Sequence, residues 1–234
     1  MLSLLGRYGY GRFAVLMLAA GLNDYQLSGR AEKVYWPKIR KLFDNSPSVK
    51  SLHDLQSALK PFCLKERLGS QKSSRLKRFT ASRLASVLWQ SSPRFVAENF
   101  QSIWNELAQT MRQNRNRKTI CFAMKCLGIS LLMAGEHGFA FGAIPIPVDL
   151  RVMKFMKKAG LAEANEDEDK VRTYWNSILL ELKKKGPGLT HELIMIHLDS
   201  LIWQIAGLEK NALRRYFSKL GIAQTGESIL AITK

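Results

Sequence analysis

Apolar residues recur along this chain at spacings of three and four, the period of helices packed on one face. Phe13 to Leu22 is apolar at nearly every position, and its pattern continues a first helix to about Leu27, where Ser28-Gly29 stops it. A second helix is predicted over Ala31 to Phe43, with Tyr35, Trp36, Ile39 and Phe43 near helical spacing. Ser46-Pro47-Ser48 reads as a turn and Val49 to Leu59 as a short helix. Leu68, Leu76, Phe79 and Leu84 interleave with basic residues from Lys60 to Arg83, which predicts a helical surface. Ser91-Ser92-Pro93 starts a helix with proline in its first turn, running to about Met111 on a stripe of Phe100, Ile103, Trp104 and Leu107. After the polar connection Arg112 to Arg117, an apolar helix runs from Lys118 to about Ala134. Residues 135–142 read as irregular. Asp149 then caps a helix that ends at Gly160.

Further helices are predicted over Val171 to Lys185, Thr190 to Ala206 and about Glu209 to Leu220, with Gly186-Pro187-Gly188 breaking the first of these. No alternating pattern marks a strand. The expected class is all-α, with about ten helices. Neither an internal repeat nor a low-complexity segment is present.

The chain has 234 residues, 46% of them apolar, enough for a real core in one large domain or two small ones. Lys and Arg number 36 against 19 Asp and Glu, a formal charge of +17. Five of the acids fall between Glu163 and Asp169, so the remaining surface is more basic still. Such an excess points to a polyanion, nucleic acid or an anionic membrane surface. The run Phe13 to Leu22 follows Arg7 and Arg12 and resembles a secretory signal, but it is too short to span a membrane and reads as a core helix. Three unpaired cysteines, Cys63, Cys121 and Cys126, indicate reduced thiols. Their spacing with His53, His137, His191 and His197 fits no metal site. Walker, Rossmann and G-x-S-x-G patterns are absent, so the sequence supports neither these nucleotide sites nor that hydrolase.

Three places carry candidate chemistry. Lys118, Phe122 and Lys125 stand at i, i+4 and i+7 and share a helix face. Lys118 lies in the first turn, where the helix dipole and Arg115, Arg117 and Lys125 disfavour a protonated amine. An unprotonated lysine is a nucleophile. The ordinary alternative is a solvated or phosphate-contacting residue. Asp149 is delivered by Pro145-Ile146-Pro147-Val148 onto a helix start, where the ordinary role is an N-cap. Asp199 and Trp203 lie four apart in His197-Leu198-Asp199-Ser200-Leu201-Ile202-Trp203; a carboxylate in that apolar stripe needs a partner.

Together these words resemble the archaeal 8-oxoguanine DNA glycosylases of the AGOG type, a branch of the helix-hairpin-helix DNA glycosylases. The resemblance rests on Tyr25-Gln26-Leu27-Ser28-Gly29 followed by Trp36, on Arg117-Lys118-Thr119 with Phe122 and Lys125, on Ile144-Pro145-Ile146-Pro147-Val148-Asp149 with Arg151-Val152, and on His197-Leu198-Asp199 with Trp203. It covers the chain from about Ala19 to Gly207. It implies two helical subdomains with the active site in the cleft between them, one spanning about 31–160 and the other 1–30 with 161–234. Lys118 is implied as the catalytic lysine that attacks the sugar C1′, and Asp149 as the aspartate that assists it. Phe122 and Trp203 are implied as the aromatic pair around a flipped base, with Trp36, Lys125, Pro147 and Asp199 also at the base. Arg112, Arg115 and Arg117 are expected at the DNA backbone. The implied partner is double-stranded DNA containing 8-oxoguanine, bound by a monomer in the cytoplasm at the nucleoid, without cofactor, metal or membrane.

Two departures stand out. The hairpin Arg112-Gln113-Asn114-Arg115-Asn116-Arg117 has none of the usual glycines, so phosphate would be held by side chains more than by bare backbone. A longer N-terminal segment, which in the family places a further polar residue against the base, is not found here. Two other readings stay open beside an 8-oxoguanine glycosylase/AP lyase on this evidence. One is the same fold acting on another damaged base; the other is a non-catalytic helical DNA-binding protein. A membrane-surface protein is a third class.

Overall fold

A computed structural model describes residues 1–45, 49–142, 144–161, 167–185 and 193–232. The expected turn at Ser46-Pro47-Ser48, Glu163 and Glu166 of the acidic run, the Gly186-Pro187-Gly188 break and the helix start at Thr190 lie outside these residues. Among the described residues every regular element is helical: fourteen α-helices and one π-helical turn. The class is therefore all-α, with more and shorter helices than the pattern alone predicts.

The first compact unit, Met1–Ile144, is built around α2 (Tyr10–Asn23). Phe13 to Leu22 are buried on every side, so the N-terminal apolar run is a core helix. A helix apolar all round must be enclosed by others, and α2 is packed against α6 (Arg83–Trp89), α5 (Gly69–Thr80) and α9 (Lys118–Met133). Glycine allows the approach to α9. A Cβ on Gly21 would meet the Cα of Ala123 at 2.9 Å and Cys126 Sγ at the same distance. The helix that begins at Lys118 is thus set directly on the α2 backbone. The preceding α1 (Leu2–Tyr8) is joined to α2 through Gly9, at φ 74°.

The first expected helix stops at Asn23, short of Leu27, and three others differ from their expected spans for local reasons. The expected helix Ala31 to Phe43 is a π-helical turn, Ala31–Tyr35, followed by α3 (Trp36–Asp44). Pro37 falls in the first turn of α3, where a missing N–H leaves no bond unmade. The helix expected to end near Leu59 continues as α4 (Leu52–Lys65) straight through Pro61. Ser51 and Asp54 close a reciprocal capping box at its start, and Leu55, Leu59 and Cys63 keep one buried stripe across the proline. The helix predicted from Pro93 to Met111 is two, α7 (Pro93–Glu98) and α8 (Phe100–Met111). Asn99 breaks it by turning its side-chain amide back onto Phe95 O at 2.9 Å.

The second unit, Pro145–Lys234, holds α10 (Leu150–Lys158), α11 (Glu168–Lys185), α12 (Met195–Ile205), α13 (Lys210–Lys219) and α14 (Ala223–Ile232). Ile229 and Leu230 of α14 pack on Ile205, Leu213 and Phe217. The sequence pattern did not predict α14. Gly226 admits it, because a Cβ there would stand 3.0 Å from that of Phe217. The division at Ile144/Pro145 differs from the grouping expected from the sequence, which placed residues 1–30 with 161–234. Burial of α2 against α5, α6 and α9 puts those residues in the first unit. No helix among the described residues is long and apolar enough to cross a membrane.

Candidate active site

The polar connection before α9 is folded by its own side chains. Arg112 ends α8 in the left-handed region at φ 53°, an uncommon conformation for a side chain with a Cβ. Asn114 Oδ1 accepts from Asn116 N–H at 2.8 Å, and Asn114 O accepts from Arg117 N–H at 3.0 Å. Trp104 donates its indole N–H to Arg115 O at 2.8 Å. The Arg115 guanidinium returns over the Trp104 ring, 4.6 Å from its centroid, and donates to Asn105 Oδ1 at 3.1 Å. These bonds replace the glycine turns that the sequence lacks. Arg112 and Arg117 are exposed. Arg115 is exposed too, but its head group is partly committed to the hairpin itself. Arg78 of α5, to which the sequence reading gave no role at the hairpin, donates to Met111 O at 3.4 Å and ties α5 to the end of α8.

Lys118 is the first residue of α9 and is exposed. No side chain caps this helix start, and its first turn holds no acid. One turn on, Phe122 is half-buried. Lys125 is buried at 6% exposure, with its ammonium 5.8 Å from the Phe122 ring centroid. The three residues share one helix as the spacing predicts, and their exposure falls from the helix end inward.

In the same unit, Trp36 is half-buried at the start of α3. Its indole N–H donates to Asp24 Oδ2 at 2.8 Å. Its ring meets Tyr35 edge-on at 5.6 Å, and the Tyr35 hydroxyl is anchored on Ala20 O at 2.8 Å.

In the second unit Pro147 is buried and Asp149 half-buried. Asp149 is the N-cap of α10, and its Oδ1 accepts from Arg151 N–H at 2.8 Å and Val152 N–H at 2.9 Å. The cap reading of this residue therefore holds, whatever else the carboxylate does. On α12, Asp199 is buried at 2% exposure and Trp203 is half-buried one turn later. The guanidinium of Arg151 stacks on the Trp203 ring, 3.7 Å from its centroid, and donates to Trp203 O at 3.3 Å. Arg151 thus joins the cap at Asp149 to the aromatic ring on α12. The sequence shows Arg151 beside the Pro-x-Pro-Val-Asp word but not its partner, because a cation meeting an aromatic ring 52 residues away leaves no periodic signal. Asp24 has no sequence signal either.

The chain matches the family model described as AGOG, N-glycosylase/DNA lyase, over residues 1–229. It belongs to the AGOG family. Its relatives include an N-glycosylase/DNA lyase of Thermococcus kodakarensis, 27% identical over 205 residues, which are 87% of this chain and 71% of that protein. An N-glycosylase/DNA lyase of Methanococcus maripaludis is 24% identical over 110 residues, 47% of this chain and 37% of that protein. Among solved structures, the 8-oxoguanosine complex of the AGOG 8-oxoguanine DNA glycosylase from Pyrobaculum aerophilum matches with a TM-score of 0.68 at 20% identity. That match covers 88% of this chain and 75% of the other, and it shows that the helical fold is shared. All of the AGOG candidate residues, from Trp36 to Trp203, lie inside the matched span.

Proposed function

We propose that this chain excises 8-oxoguanine from double-stranded DNA and cuts the strand at the resulting sugar, with Lys118 as nucleophile. The observation that carries the reading is the position of Lys118, an exposed amine at the uncapped start of α9, directly after a basic hairpin, in a member of an N-glycosylase/DNA lyase family. The name of the Pyrobaculum relative and its bound 8-oxoguanosine support the choice of base.

A base inside a duplex is beyond the reach of such an amine, so the nucleotide must be flipped out. Stacking on an aromatic ring recovers about 1–3 kcal/mol per base. Phe122 and Trp203 are assigned to the two faces of the base. Lys125, Asp199, Pro147 and Trp36 are assigned to its edges and surroundings. The Lys118 nitrogen gives its lone pair to C1′ as the bond from C1′ to the base breaks. The base leaves with the electron pair of the broken bond and takes up a proton. Positive charge builds on the sugar during this step, and the Asp149 carboxylate, through Oδ2, stabilises it. The nitrogen gives up one proton, the C1′–O4′ bond breaks with its electron pair going to O4′, which is protonated as the ring opens, and a protonated Schiff base is left. Loss of a proton from C2′ expels the 3′ phosphate by β-elimination, and water releases Lys118 from the sugar fragment. Exposed Arg112 and Arg117 hold phosphates without reading sequence.

Borohydride trapping on a duplex with one 8-oxoguanine tests this directly. The wild type is expected to form a covalent adduct and Lys118→Gln none. An adduct that survives Lys118→Gln would move the nucleophile, with Lys125 next in line. Folded wild type that neither traps nor releases base from this duplex, but does so from a duplex with another lesion, would replace the substrate and keep the chemistry.

A further inference from the structure

The first unit contains a buried cation that the proposed chemistry does not use. Lys72 on α5 is fully buried, and its ammonium has no hydrogen-bond acceptor among the described residues. The ammonium lies 5.0 Å from the Tyr25 ring centroid, and the Arg75 guanidinium lies 5.4 Å from the same ring. Burial pulls the Lys72 ammonium below the usual lysine range, while Glu66, Cys63 and Asp24 act to keep it charged. An isolated buried charge is costly. Here the anions that offset it are Glu66, itself buried, and Asp24.

Asp24 is also the acceptor for the Trp36 indole at 2.8 Å. One carboxylate therefore both acts on the buried ammonium and accepts from an aromatic ring assigned to the base pocket. The backbone around it is held in place: Arg75 donates to Leu22 O at 3.2 Å, and Tyr25 donates from its hydroxyl to Gln71 Oε1 at 2.9 Å. A hydrogen bond to a charged acceptor is stronger and more directional than one to a neutral group. The acceptor fixes the indole about its own Cα–Cβ axis.

We infer that Asp24 is a positioning residue that sets the Trp36 indole against the flipped base. The inference rests on the reading of Trp36 as a base-pocket residue. It adds a residue that acts on the base through the Trp36 ring.

A double-mutant cycle in single-turnover excision of 8-oxoguanine separates the two claims. Asp24→Ala is expected to lower excision about tenfold, the scale of a lost hydrogen bond to a charged group. Asp24→Asn keeps an acceptor and is expected to lose less. In a Trp36→Phe background, Asp24→Ala is expected to add nothing, since the donor it served is gone. The ratio of base excision to cleavage of a ready-made abasic site is expected to fall in Asp24→Ala. An Asp24→Ala loss of equal size with and without Trp36 would overturn the inference, because Asp24 would then act through the fold at large. A loss in Trp36→Phe with none in Asp24→Ala would overturn it too. No loss in Trp36→Phe would remove Trp36 from the base pocket and take this inference with it. Should Asp24→Ala fail to fold, Asp24→Asn carries the same cycle.

Discussion

The helices that carry Lys118 and Asp149 begin in opposite ways. The start of α10 is closed: Asp149 takes both Arg151 and Val152 N–H groups on one oxygen, and Arg151 folds over Trp203. The start of α9 is open: no side chain caps it, no acid lies in its first turn, and arginines precede it. Both ends carry the same partial positive charge. In α10 that charge is spent on an internal carboxylate, which fixes the angle of the carboxylate. In α9 it is left facing solvent beside a lysine and is available to a phosphate. On the proposed reading, a helix end that holds the Asp149 carboxylate still is set apart from one left open to a phosphate.

Replacing Asp149 is the sharpest way to break it. Asparagine caps helices as well as aspartate does, so Asp149→Asn is expected to leave thermal unfolding near that of the wild type. Loss of its charge is expected to slow base excision by about 100-fold or more, the scale of removing one stabiliser of transition-state charge. Asp149→Ala removes the cap as well and is expected to cost about 1 kcal/mol of stability in addition. If Asp149→Asn excised 8-oxoguanine at the wild-type rate, the closed helix start would be structural only.

Arg151 comes next. Lysine keeps the charge but cannot stack as a planar group. Arg151→Lys is expected to lower excision about tenfold by loosening Trp203, the scale of a desolvated cation–aromatic contact. Cleavage of a ready-made abasic site, which has no base to stack, is expected to fall less. Equal losses in both assays would mean that Arg151 acts through Asp149 and not through the ring.

How much of this was legible beforehand follows from range. The helix from Lys118 and the cap at Asp149 are local, written in a few consecutive residues, and they stand where the pattern put them. So does the stop at Gly160, which takes φ 67°. The apolar run Phe13 to Leu22 announced a buried helix, but not which neighbours would bury it. The grouping of residues 1–30 went elsewhere for that reason. Pro61 argued for an end that a continuous buried stripe overrode. Asn99 ended a helix that periodicity alone would have continued. The contacts of Arg151 with Trp203, and of Asp24 with Trp36, join residues distant in sequence, and no pattern of types announces them.

The hairpin arginines sharpen the comparison at the smallest scale. Arg115 and Arg117 are both exposed and two residues apart, and the sequence assigned both to phosphate. Arg115 holds Trp104 and Asn105, whereas Arg117 contributes only its backbone to the turn. Arg115→Ala is expected to lower stability by about 1 kcal/mol, the value of one cation–aromatic contact with its hydrogen bond, and this would be read in urea unfolding. Arg117→Ala is expected to leave unfolding unchanged and to weaken DNA binding. The slope of log affinity against log salt is expected to fall by about 1, as for one lost phosphate contact. A salt slope that changes with Arg115→Ala and not with Arg117→Ala would reverse the assignment and make the stacked arginine the phosphate ligand. The open end of α9 would then begin at Trp104 and not at the helix cap.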